Sequence, residues 1–254
     1  MFSREKRCHY HNSPLIDVIC QLRFPRILTI NVNAPAEFQE QIRKHYPQYN
    51  TTTETPMPQN PGQAQMPIVN HRFSSQDGIW HINLTCDTIA FSTRAYTGWE
   101  DFAERLDGPL AAFIQIYKPA YFERVGLRYM NFFSRKKLGL DGTPFRDMFA
   151  PEYLGLMSDE SLPENSFNRN TVDTDFDIGN GCRVQLHAGP GLVNINGKQA
   201  NEVHFILDCD YYTTGNIPVN YSVGALQTLH GKSYPLFRGA ITERLHNAME
   251  PEDL

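Results

Sequence analysis

No apolar run in this chain approaches the length of a membrane-spanning helix. The chain also lacks a C-x-x-C pair, a G-x-S-x-G elbow, an H-E-x-x-H pair and a Walker loop, so no short motif declares a chemistry. Positive charge is not in excess: 23 Lys and Arg face 28 Asp and Glu, a net charge of −5 that argues against general nucleic-acid binding. The start, MFSREKRCHYHNS, is charged and has no apolar core, so a signal peptide is not expected. The five cysteines are odd in number and scattered, at 8, 20, 86, 182 and 209. That usage predicts reduced thiols and a cytoplasmic protein.

Apolar residues make up 41% of the 254 residues and charged ones 20%, a globular composition with ample core for one large domain or two small ones. The organising stretch is Tyr96–Phe133. Trp99, Phe102, Leu106, Leu110, Phe113, Ile114 and Tyr117 recur at helical spacing. Thr97 and Glu100 fit a capping box at the start. Gly108-Pro109 predicts a kink or two short helices in series, and Pro119 the end. A strand follows. Val125, Leu127, Tyr129 and Phe133 share one face, and Arg124, Gly126, Arg128, Met130 and Phe132 the other. Bulk on both faces predicts a central strand.

The remaining pattern predicts an α+β fold in two halves. Residues 1–133 read as a β-α-β-β-β-α-β half, 134–170 as an irregular connection, and 171–254 as a β-meander followed by helices. Each half has antiparallel-rich strands and a proline-interrupted helix, packed on one face. That shared order is what an ancient duplication would leave. Residues 50–67 read as a proline- and glutamine-rich surface loop. Asn180-Gly181 and Gly189-Pro190-Gly191 read as hairpin turns, and Pro235 as the start of a second C-terminal helix.

Candidate chemistry is sparse. Cys8-His9-Tyr10-His11 offers soft ligands, but a zinc site needs a second cluster that the sequence does not show. Asp173, Asp175 and Asp177 imitate a calcium loop, yet Ile178 and Val184 stand where its glycine and glutamate belong. The aspartates fit the solvent face of an edge strand instead. No metal and no cofactor is therefore expected, and no catalytic residue can be named. His187 and His204 lie in strand patterns, with Asp208 and Asp210 as nearby carboxylates. The candidate ligand-binding residues are the strand arginines Arg23, Arg94, Arg124, Arg128 and Arg183. Gathered on one concave face they would hold an anion, because guanidinium binds phosphate or carboxylate bidentately. Otherwise they pair with Asp17, Asp87, Asp208 or Asp210 inside the fold.

Four segments in fixed order, PLIDVICQLRFP, DGIWHINLTCDTIAFSTRAYTGWEDF, FERVGLRYMN and FRGAITERLHNAM, resemble a sporadically distributed bacterial family of about 250 residues. The resemblance covers nearly the whole chain, with 50–67 and 134–170 as its variable parts. It implies a bacterial, cytoplasmic protein. That family has no established activity, so the resemblance transfers no catalytic role.

The reading expected from sequence is a non-catalytic binding or interaction protein, such as an accessory component of an operon or defence system. The alternative is an enzyme or sensor for an anionic small molecule held by the strand arginines. The expected partners are a protein or an anionic small molecule, without a membrane and without general nucleic-acid binding. A homodimer is compatible with both readings.

Overall fold

The computed structural model describes residues 2–55, 67–195 and 198–253. In chain order the elements are β1 (Cys8–Tyr10), β2 (Leu15–Arg23), α1 (Leu28–Val32), α2 (Ala36–Ile42), β3 (Gln48–Glu54), β4 (Ile68–Ser74), β5 (Trp80–Leu84) and β6 (Thr88–Thr93). Then come α3 (Trp99–Tyr117), β7 (Phe122–Phe133), β8 (Val172–Gly179), β9 (Cys182–Gly191), β10 (Asn194–Ile195), β11 (Lys198–Gln199) and β12 (His204–Ile217). The chain closes with α4 (Ser222–Ala240), α5 (Glu243–Ala248) and β13 (Pro251–Asp253). The fold is α+β, with antiparallel strand pairing and helices.

Two compact units form, and they do not follow the chain order. One comprises Asp17–Leu127 and Tyr212–Leu226; the other comprises Met1–Ile16, Arg128–Tyr211 and Gln227–Leu254. The sequence pattern placed its boundaries at 133 and 171. Periodicity reports which faces are apolar, but not which distant segments share a core.

In the Asp17–Leu127 unit the strands lie in the order β3-β4-β5-β6-β2-β7, the last through its first half. Alternation sets the buried face: Val18, Cys20 and Leu22 on β2, Trp80, Ile82 and Leu84 on β5, Ile89 and Phe91 on β6. Helices α2 and α3 cover it. Phe113 of α3 meets Phe24 with ring centroids 4.8 Å apart, Phe102 meets Phe91 at 5.1 Å, and Phe38 of α2 meets Phe73 at 5.4 Å. Burying these rings supplies most of the driving force for this layer.

The helix α3 departs from expectation in two ways. Gly98 is its N-cap and no side chain caps it; the Thr97 hydroxyl instead donates to Asp101 Oδ2 at 3.2 Å. Gly108-Pro109 does not divide it either, and Pro109 is buried inside one 19-residue helix. An interior proline costs about 3 kcal/mol. The burial of Phe102, Leu106, Leu110 and Phe113 on either side outweighs that. Likewise Pro235 lies inside α4 rather than starting a helix. The expected loop at 50–67 is a strand as far as Glu54, paired with β4. Its remainder, 56–66, lies outside the described residues.

In the Arg128–Tyr211 unit the order is β7-β12-β9-β8. Phe205, Leu207, Cys209 and Tyr211 of β12 and Cys182, Val184, Leu186 and Ala188 of β9 are buried. Tyr211 donates to the Ser233 carbonyl of α4 at 3.3 Å, and Phe205 meets the segment of short 3-10 turns at residues 145–158. Those turns lack a long element, as expected, yet they supply core. Phe149 stacks on Phe205 at 3.8 Å, and the Tyr153 hydroxyl donates to the Leu236 carbonyl at 3.4 Å. Asn180 (φ 61°) and Gly181 (φ 69°) make the expected hairpin turn between β8 and β9. Gly189-Pro190-Gly191 is not a turn but part of β9. A Cβ on Gly189 would stand 2.4 Å from the Asn170 carbonyl oxygen, so this glycine marks a close backbone approach.

Candidate functional site

The face of the Arg128–Tyr211 sheet opposite its core is polar. This follows from alternation: Asp208 and Asp210 sit between the buried Leu207, Cys209 and Tyr211, and Gln185 and His187 between the buried Val184, Leu186 and Ala188. Register then lines up the neighbouring strand, with Asp173 opposite His187 and Asp175 opposite Gln185. Arg128 of β7 completes the set. Together these residues, with Thr174 and Leu186 between them, line a groove of about 460 Å³.

Two contacts organise it. Arg128 holds Asp208 through both Nε, at 2.8 Å from Oδ1, and Nη2 on Oδ2. His187 Nδ1 lies 2.6 Å from Asp173 Oδ1. A carboxylate only accepts, so Nδ1 carries the proton of that bond. The bond holds the Asp173 carboxyl below the usual carboxylate range. Just outside the lining, Arg183 Nε donates to Asp175 Oδ1 at 3.0 Å.

Four carboxylates thus face one guanidinium in the groove lining, a formal surplus of three negative charges, reduced to two by Arg183. The groove is acidic, and its cation is already engaged. Among the described residues no group of three or more His, Cys, Asp or Glu is arranged to hold a metal ion.

The five strand arginines do not gather here. Arg128 lines the groove, and Arg183 stands beside it. Arg124 donates to Gln21 Oε1 at 3.2 Å and lies over the Tyr212 ring at 4.7 Å, within the other unit. Arg94 is not a strand residue as expected but lies one residue past the end of β6, exposed and 3.9 Å from Asp17. Arg23 is exposed at the end of β2. Of the two candidate bases, His187 lines the groove. His204 is buried, with Nδ1 3.2 Å from the Glu202 carbonyl, and does not. Sequence reasoning missed Gln185 and read Asp173 and Asp175 as solvent-facing charge alone. The signal was present in the alternation of β8 and β12, which places acids at every second position of one face, with Gln185 and His187 of β9 between them.

No protein-family model matches the chain, and no curated protein matches it.

Proposed function

We propose that this chain is a non-catalytic binding protein and that the groove of Arg128, Asp173, Asp175, Gln185, His187, Asp208 and Asp210 receives basic side chains of a protein partner. The observation that carries this reading is the surplus of carboxylates around a guanidinium already clasped by Asp208. An acidic groove of about 460 Å³ has room for one or two lysine or arginine side chains, and surplus carboxylates favour guanidinium and ammonium groups. The alternative, an enzyme or sensor for an anion, requires Arg128, Arg183 and Arg94 to leave the carboxylates they now face.

The test is calorimetric titration of the full chain with an arginine-rich hexapeptide, with inorganic phosphate and with ATP. The expected result is binding of the peptide alone, weakening as salt is raised and reduced in Asp210→Asn. Binding of phosphate or ATP without the peptide would reverse the reading.

A further inference from the structure

Among the described residues the strand β3 stands at the end of its sheet and pairs with β4 alone. All seven of its residues, Gln48 to Glu54, are exposed. Ser75 N–H donates to the Trp80 carbonyl at 3.0 Å, so odd-numbered residues of β4 turn toward β5 and even-numbered ones toward β3. Since Asn50 faces Arg72 and Thr52 faces Asn70, the even residues of β3 hold the ladder to β4. Tyr49, Thr51 and Thr53 therefore turn their N–H and C=O groups to the open edge. Among the described residues the contact on this edge is local: Asn50 Oδ1 accepts the Thr51 N–H at 2.8 Å.

Natural edges are guarded by charge, proline or a bulge. The edge strand β8 of the other unit carries Asp173, Asp175 and Asp177 on one face. The strand β3 has no proline, no lysine or arginine, and an unbroken register over its whole length. Its Thr-rich, β-branched composition suits an extended strand. It is also rigidly presented. His71 Nε2 donates to the Ile30 carbonyl at 2.9 Å, leaving Nδ1 to accept the Tyr49 hydroxyl at 2.9 Å.

We infer that β3 is a strand-addition edge and that its occupant is β3 of a second copy of this chain, antiparallel about a two-fold axis at Thr51. The sequence is self-complementary in that register. Thr51 meets Thr51, Tyr49 meets Thr53, Asn50 meets Thr52 and Gln48 meets Glu54. Threonine pairs and aromatic–β-branched pairs are favourable across strands, and no like charges oppose each other. The outward residues 49, 51 and 53 fall into the hydrogen-bonded pairs of that ladder, as the two-fold at 51 demands. Asn50 releases the Thr51 N–H on pairing. A single strand pair buries less than a standard interface, so the dimer is weak and concentration-dependent.

Sedimentation equilibrium of the full chain, from low micromolar to several hundred micromolar, tests this. Wild type is expected to pass reversibly from monomer to dimer. Thr51→Lys sets two ammonium groups against each other at the axis, and Thr51→Pro removes an outward N–H without touching the β4 ladder. Both are expected to weaken the dimer about tenfold or more while melting like wild type at low concentration. Thr51→Cys is expected to cross-link two copies on oxidation, and Thr53→Cys, which faces Tyr49, is not. A wild type that stays monomeric, a dimer indifferent to both Thr51 variants, or an edge that takes only unrelated extended peptides overturns the inference.

Discussion

Arg128 and Asp208 form a two-pronged ion pair across neighbouring strands, with Asp208 the more enclosed partner, its side chain only 13% exposed. The pair fixes the floor of the acidic groove. Arg128→Ala leaves that carboxylate facing Asp210 and Asp173 without its guanidinium. Because Arg128 is itself 41% exposed, water screens part of the loss. The expected destabilisation is about 1–3 kcal/mol rather than the larger figure for a fully buried pair. Urea melts should show Arg128→Lys failing to restore it, since ammonium cannot bridge both oxygens. An Arg128→Ala protein as stable as wild type would remove the pair from the fold's energetics.

Gly126 is the space in which Arg124 lies. A Cβ built on Gly126 would stand 2.2 Å from Arg124 Nη1, so Gly126→Ala must push the guanidinium off Gln21 and Tyr212. The obstacle is the end of a flexible side chain, so the cost is the worth of those contacts, about 1 kcal/mol. Gly126→Ala and Arg124→Ala should therefore each cost about that amount, and the double variant no more than either alone. Additive losses in a double-mutant cycle would show that the glycine serves the backbone instead.

His230 predicts a pH dependence. Arg7 Nη1 donates to its Nε2 at 2.7 Å, so Nδ1 carries the proton and donates to the Tyr129 oxygen at 2.9 Å. Burial, and then the Arg7 charge, push its pKa from 6.5 down to about 3. The unfolded chain binds this proton below about 6.5 while the folded chain refuses it until about 3. Stability is therefore unaffected above that window and falls through it as pH drops, by about 1.4 kcal/mol per pH unit. His230→Gln keeps an acceptor for Arg7 and a donor for Tyr129 but cannot titrate. The difference in stability between about pH 7 and about pH 5 should shrink in this variant. An unchanged difference in urea midpoints would exclude His230 as the titrating group.

Phe113 is fully buried between Phe24 and Tyr117, with ring centroids at 4.8 and 5.5 Å. Phe113→Ala should cost about 3–5 kcal/mol, the transfer of the ring plus the cavity left behind. Thermal melts would register the loss, and a wild-type midpoint would show that α3 contributes little to its layer.

The apolar stripe of α3 and the alternation of β2, β5 and β12 were legible in sequence because each element buries one face and follows its own period. What sequence hid has definite causes. Pro109 and Pro235 looked like breaks because local propensity carries no information about the sheet that holds their helices in place. The strand β3 looked like loop because both its faces are exposed, which erases the alternation that marks a strand. Gly189 looked like a turn because a glycine that admits a neighbouring backbone is written with the same letter as one that bends. The arginines Arg94, Arg124, Arg128 and Arg183 could be listed as candidates, and Asp17 and Asp208 as their carboxylates. Which of them meet in space depended on register, and register gave an acidic groove rather than a basic one.

The interleaved division of the chain has a consequence for its synthesis. The unit containing the groove draws on Met1–Ile16, Arg128–Tyr211 and Gln227–Leu254, so its first strand waits for a partner until Pro251–Asp253 emerge. Asp17–Leu127, in contrast, leaves the ribosome as one uninterrupted stretch and still lacks only Tyr212–Leu226. Loop closure over such separations is slow. The growing chain thus exposes the outer edge of β7 until β12 has emerged, and the groove can form only once Asp210 is out.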